Sequence, residues 1–286
     1  MNVGYNRIGK AQVLNLVSIF KQQDQMKSVG FAGCDLGVDE AKAVADYVSV
    51  SGGLTVIDLL YNKLDVEAAK MLAEVAKQKG ISLCGIQRDQ TTADFRKRLQ
   101  PSEAILLASD LSQAVVTGAL TSVELGGNEL KNRGWGAIFA AICGNKDSKI
   151  MSMDVSGENI DPAGVKLIAK ALRTSVSGAL TSLDLSNNAL CGLVQGTVSG
   201  TYSAEGITAI AEALRIIGSL TSVKLSGNKL KDRGWGAIFA AICGNKDSKI
   251  MFLDASKEKI GPAGVKLIAE ALRTNVTGSL TQVLAF

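Results

Sequence analysis

The sequence predicts an α/β solenoid: parallel strands on a concave face, helices on a convex face, one horseshoe over residues 1–286. Three observations carry this. The pattern Leu-x-x-Leu-x-Leu-x-x-Asn-x-Leu recurs along the chain. Each copy precedes a stretch with helical apolar spacing. The copies start at 26, 54, 81, 120, 150, 180, 220, 250 and 280, mostly 27–30 residues apart. Self-similarity at such a period is the mark of stacked repeats, each too small to bury its own apolar face.

The elements follow in order. A clipped copy opens the chain with Val3, Asn6 and Ile8, and "MKSVGFAGCDL" begins at Met26 with Cys34 at the asparagine position. "LTVIDLLYNKL" begins at Leu54. "ISLCGI", at 81–86, reads as the next strand, with "EAILLASDL" as its helix. The clearest copies are "LTSVELGGNEL" from Leu120, "LTSLDLSNNAL" from Leu180 and "LTSVKLSGNKL" from Leu220. Looser copies start at Ile150 and Ile250, with Glu158 and Glu258 in place of asparagine, and a clipped copy closes the chain at Leu280, Val283 and Ala285. The helices show the same regularity. "AGVKLIAKALRTS" places Val165, Leu167, Ile168, Ala171 and Leu172 on one stripe, and Asp161-Pro162 makes an N-cap and first-turn pair.

The chain resembles leucine-rich repeat proteins of the ribonuclease-inhibitor-like type, in which a strand alternates with a full helix. The resemblance covers essentially the whole chain, about nine to ten repeats, and implies that Asn6, Asn62, Asn128, Asn188 and Asn228 form a hydrogen-bonded ladder. A glutamate cannot donate as an amide does, so the ladder is expected to be differently bonded at Glu158 and Glu258. The fold serves many functions and names none.

Two repeats are about ten residues too long. Their extra segments, about 87–99 and 191–203, are expected after the strand and before the helix, and therefore on one rim. The first is basic, with Arg88, Arg96, Lys97 and Arg98. The second is uncharged, glycine-rich and ends in Tyr202. Such insertions are often binding loops, although loop growth is also cheap in entropy.

Residues alternating with the core leucines face the concave side. One outward column reads Gly30, Asp58, Gly85, Glu124, Asp154, Asp184, Lys224, Asp254 and Leu284. This discontinuous acidic stripe reads first as a plain solvated face, and it also suits a basic partner. Tyr61 and Phe252 are the nearest aromatic anchors of the kind that dominate interfaces.

Composition narrows the chemistry. Hydrophobic residues are 47% and aromatics 5%, so the core is aliphatic. Histidine is absent, which removes Ser-His-Asp and Cys-His catalysis and His-ligated zinc. Five widely spaced cysteines without a CxxC give neither a zinc site nor a disulfide framework. A net charge of +4, dispersed, is no nucleic-acid footprint. No segment resembles a signal peptide or a bilayer span. An intracellular, cytoplasmic chain without enzymatic activity or cofactor is expected. Its function is then a protein-interaction or scaffold module using the concave face and two rim loops. The alternatives are the ligand-sensing part of a larger regulator or a GTPase-activating repeat protein. Both ends lack polar caps, which points to a fragment or an assembly subunit. The isolated chain is expected to self-associate, and a clean monomer by light scattering at high concentration contradicts that.

One run, "RGWGAIFAAICGNKDSKIM", occurs at 133–151 and again, unchanged, at 233–251. It contains both tryptophans, yet it lies mainly on a helix, so it reads as copied scaffold rather than a copied site.

Overall fold

A computed structural model describes the chain except residues 7, 24, 97, 194–199 and 285–286 and the side chain of residue 23. The elements in order are α1 (Lys10–Gln23), β1 (Ser28–Gly30), α2 (Val38–Val50), β2 (Val56–Asp58), α3 (Val66–Lys79), β3 (Thr92–Asp94), α4 (Pro101–Leu111) and the short α5 (Ala114–Thr117). There follow β4 (Ser122–Glu124), α6 (Lys131–Gly144), β5 (Ser152–Asp154), α7 (Pro162–Arg173), β6 (Ser182–Asp184), α8 (Glu205–Leu214), β7 (Ser222–Lys224), α9 (Lys231–Gly244), β8 (Phe252–Asp254), α10 (Pro262–Arg273) and β9 (Gln282–Leu284). All strand pairs are parallel and sequential, as a repeat solenoid requires. Ser122, Ser152, Ser182 and Ser222 stand side by side, so the sequence period is the sheet register. No helix among the described residues is long and apolar enough to cross a membrane.

The core lies between strands and helices. From β1 to β8 each three-residue strand buries its middle residue, as in Val123, Met153, Leu183, Val223 and Leu253, whereas Val283 in β9 is exposed. The pattern leucines at either end are buried too, among them Leu120, Leu125 and Leu130. The asparagines from Asn62 onward form the ladder, whereas Asn6 donates within its own turn, to the Val3 and Gly4 carbonyls (both 3.1 Å). Asn188 Oδ1 accepts from the Ile160 N–H (3.0 Å) while its Nδ2 donates to the Val155 and Leu185 carbonyls (2.7 and 3.0 Å). Asn62 and Asn128 bond likewise, and Asn228 accepts from the Asn188 N–H (3.1 Å). At Glu258 only the accepting half remains: the carboxylate takes the Asn228, Lys229 and Leu230 N–H groups and Trp235 Nε1.

The copied run packs mainly as scaffold. Trp135 and Trp235 are fully buried. Asn245, also buried, donates to the Leu214 and Ile217 carbonyls (both 2.9 Å), satisfying the end of the preceding helix, and Asn145 does the same toward Leu111 (3.1 Å). The glycine near each helix start is needed for close approach. A Cβ on Gly206 would lie 2.3 Å from the Leu190 carbonyl oxygen, and one on Gly264 would lie 2.5 Å from Asp232 Oδ1.

The sheet is interrupted between β2 and β3. Residues 81–85 do run beside β2: the Ile57 N–H donates to the Ser82 carbonyl (2.8 Å) and Leu59 N–H to that of Leu83 (2.9 Å). No helix follows them, however. The chain turns back and forms β3, which pairs with β4 thirty residues on. Asp110 of α4 reaches under the break. Its carboxylate accepts from Ser82 Oγ (2.7 Å), Leu83 N–H (2.8 Å) and Cys84 N–H (3.0 Å).

This corrects two expectations. The helix over 101–111 belongs to the strand at 92–94, not to 81–86. The first extra segment is therefore 80–91, between a helix and a strand, whereas the second lies between β6 and α8. In a parallel solenoid these connections sit on opposite rims, so the two loops do not share one. The expected loop over 87–99 contains a strand, with Phe95 and Leu99 buried in the core.

Candidate functional site

The strand ladder places a row of carboxylates on the concave face. Asp94 stands beside Glu124, and Asp154, Asp184, Lys224 and Asp254 follow in register. Neighbouring strands are about 4.8 Å apart, so like charges adjoin. The residue type has a local cause. Asp94, Asp154, Asp184 and Asp254 each accept, through Oδ1, the backbone N–H two residues on, at 2.9–3.0 Å. Asp58 does the same with Leu60 (3.1 Å). The short side chain closes this turn where a glutamate overshoots, and Glu124 instead lies 3.5 Å from Ser122 Oγ. One carboxylate oxygen per aspartate thus holds the strand end.

Two cations interrupt the row. Lys224 Nζ is 3.0 Å from Asp184 Oδ2, and the hydrogen bond to that carboxylate pushes the lysine up from its ordinary range. Arg96 folds back onto Asp94 in a two-point pair of 3.1 and 2.9 Å. Flanking positions carry serines, and Phe252, half-buried, is the one aromatic among the expected residues of these columns on the long sheet.

The other expected residues scatter. Asp58 and Tyr61 lie beyond the sheet break, in a cleft of about 230 Å3 shared with Tyr5, Gly85, Gln90 and Asp94. Tyr61 is not an open anchor. Its ring packs on Tyr5 (centroids 5.8 Å), its N–H donates to the buried Glu103, and burial pushes its phenol well up. Gly85, expected in the acidic column, gives its place to Asp94. Arg88 reaches toward the Gly80 carbonyl (3.5 Å) at the helix-to-strand rim, while Arg98 sits in the turn after β3 with left-handed backbone (φ 60°). Lys97 lies outside the described residues. Tyr202 is on the strand-to-helix rim beside α9, its hydroxyl donating to the Leu230 carbonyl (3.1 Å).

Sequence reasoning missed Asp94, and the missed signal was the thirty-residue offset from Thr92 to Ser122. The five cysteines are free and buried, and burial pushes their thiols up, Cys143 to about 11 and Cys191 to about 12. Thiols held protonated are poor nucleophiles. Among the described residues no group of three or more Cys, Asp or Glu is placed to hold a metal ion.

No protein-family model matches the chain, and no curated protein matches it. Solved structures similar to it include the crystal structure of a protein from Bacteroides fragilis, 12% identical, covering 95% of this chain and 68% of that one, with a TM-score of 0.31. A likeness that slight assigns neither family nor function, and the repeat-solenoid fold rests on the register and the ladder themselves.

Proposed function

We propose that the chain is a non-catalytic protein-interaction module of the leucine-rich repeat type, ribonuclease-inhibitor-like in its full helices, that binds a basic segment of a protein partner along the concave face. The carrying observation is the row Asp94, Glu124, Asp154, Asp184 and Asp254, five carboxylates against Lys224 and Arg96 on one rigid ladder. The parallel strands fix the spacing of the charges in advance, so little ordering is lost on binding. Summed like charge on a concave wall raises the local concentration of an oppositely charged segment and its association rate. The serine columns leave room for main chain or long basic side chains.

The test separates charge from folding. In the triple variant Asp154→Asn, Asp184→Asn, Asp254→Asn each amide oxygen can still accept the turn N–H, so the melting temperature is expected to stay within about 3 °C, the size of a sub-kcal/mol effect. Binding of a fifteen-residue Lys/Arg-rich peptide, followed by fluorescence anisotropy, is expected to weaken at least tenfold, about 1.4 kcal/mol. Unchanged affinity in the triple variant, or a parent chain that does not bind the peptide at all, removes the reading.

A further inference from the structure

A second feature lies on the rim, away from the concave row. The turns after β7 and β8 enclose a depression of about 660 Å3, lined by Lys229, Lys231, Arg233, Lys257 and Lys259. Two acids also line it, but both are turned inward: Glu258 takes three backbone N–H groups and Trp235, and Asp232 Oδ1 accepts the Gly261 N–H (2.7 Å). Arg233, Lys257 and Lys259 make no ion pair among the described residues. Tyr202 walls one side, with Lys231 Nζ held 4.4 Å from its ring centre. Tyr202 therefore supplies an aromatic wall to a cationic basin.

Lys231 and Arg233 have counterparts in Lys131 and Arg133, but the rest of the basin's positive charge is absent from the internal copy. Residues 120–180 and 220–280 differ at 14 of 61 positions. Among those differences Glu129, Gly157 and Asn159 stand where Lys229, Lys257 and Lys259 stand, and Asp161 where Gly261 stands. Four of the changes on this one rim therefore raise its charge. Only Asn132 against Asp232 lowers it, and Asp232 is engaged by the backbone. The backbone sharpens the contrast. Gly157 (φ 71°) and Asn159 (φ 54°) occupy left-handed conformations that suit them, while Lys257 (φ 61°) and Lys259 (φ 51°) hold the same conformations at a cost. Lysines kept where glycine and asparagine fit better point to a use for the charge.

We infer that this rim basin binds a small ligand carrying two or more clustered phosphates. Lysines on successive turns around one depression suit a compact cluster of phosphate oxygens, each lysine acting as a point charge. The volume is that of a small-molecule site, about 300–1,000 Å3, rather than of a groove for an extended chain. The tyrosine offers a face to a ring or sugar attached to the phosphates.

Titration calorimetry on the full chain with sodium tripolyphosphate is expected to give saturable one-to-one binding in the micromolar range. Lys257→Gly with Lys259→Asn restores the residues of the other copy, and is expected to lower affinity at least tenfold with the melting temperature kept or raised. Lys146→Gln, outside the basin, is expected to leave affinity unchanged. Soluble inositol trisphosphate against vesicles containing phosphatidylinositol bisphosphate then tells a free ligand from a lipid headgroup, either being the same phosphate chemistry. The inference is overturned if no saturable heat appears, if the Gly/Asn variant binds as tightly as the parent, or if an equally charged oligo-aspartate competes equally well.

Discussion

Trp235→Ala is expected to destabilise the chain by about 4–5 kcal/mol, the upper range for truncating a fully buried tryptophan. Two losses combine. The indole is fully buried, so its removal leaves a cavity that neighbouring helices can only partly fill. Its Nε1–H also donates to Glu258 Oε2 at 3.2 Å, so a buried carboxylate loses a donor. The internal copy provides the control. Trp135 is equally buried, but among the described residues its Nε1 and the nearby Glu158 Oε2 do not reach hydrogen-bond geometry, although the carboxylate is close enough to feel the indole N–H. Trp135→Phe therefore removes a donor without a well-placed acceptor and is expected to cost roughly 1 kcal/mol less than Trp235→Phe, the net value of one hydrogen bond. Urea unfolding of the four variants checks both statements. Equal costs for the two phenylalanine variants contradict the role given to the Glu258 bond. Loss of partner binding at unchanged stability in Trp135→Ala contradicts the reading of the copied run as scaffold.

That reading was open to the sequence because a thirty-residue register and a helical stripe are both global patterns, repeated often enough to average out local exceptions. The glutamates at 158 and 258 show the same legibility at one position: an acceptor without a donor predicts a differently bonded rung, and at Glu258 the accepting half forms. The break at 81–91 was not legible in the same way. "ISLCGI" has the better apolar pattern, and Ile81, Leu83 and Ile86 are indeed buried. "TTADF" has alanine at the middle core position, with Phe95 and Leu99 completing its repeat. Apolar pattern says that a segment is in the core. It does not say whether a helix follows, which depends on how Asp110 and Ser82 satisfy the backbone that a missing neighbour leaves open. The concave acids from Glu124 to Asp254 were legible because side-chain alternation is local, whereas Asp94 was hidden with its strand. The rim lysines were not, because their meaning lies in two turns thirty residues apart meeting over Tyr202.

Asp110 gives the second large effect, a loss of stability as pH rises through the mildly acidic range. The carboxyl is fully buried, and burial pushes it up to about 7 despite hydrogen bonds from Leu83, Ser82 and Cys84 that pull it down. In the unfolded chain an aspartate loses its proton near 3.9. Between those values the folded state holds a proton that the unfolded state has released, so unfolding is favoured progressively as pH rises. The stabilisation is complete below about pH 4 and gone above about pH 7. Glu103, Glu158 and Glu258 are shifted the same way, also chiefly by burial. With no histidine in the chain, no imidazole titrates against them. Unfolding free energy measured in urea is therefore expected to fall by on the order of 3 kcal/mol between pH 4.5 and 7.5. Asp110→Asn cannot accept from all three donors, so it is expected to be less stable than the parent at pH 4.5, by about 1–3 kcal/mol for a donor left unsatisfied. It is also expected to flatten most of the slope, because the group that releases the proton is gone. A parent chain whose stability rises from pH 4.5 to 7.5, or a variant that keeps the full slope, shows that Asp110 is ionised beneath the sheet break. In that case the three donors outweigh the desolvation of the charge, and the break is held by an anion rather than by a neutral acid.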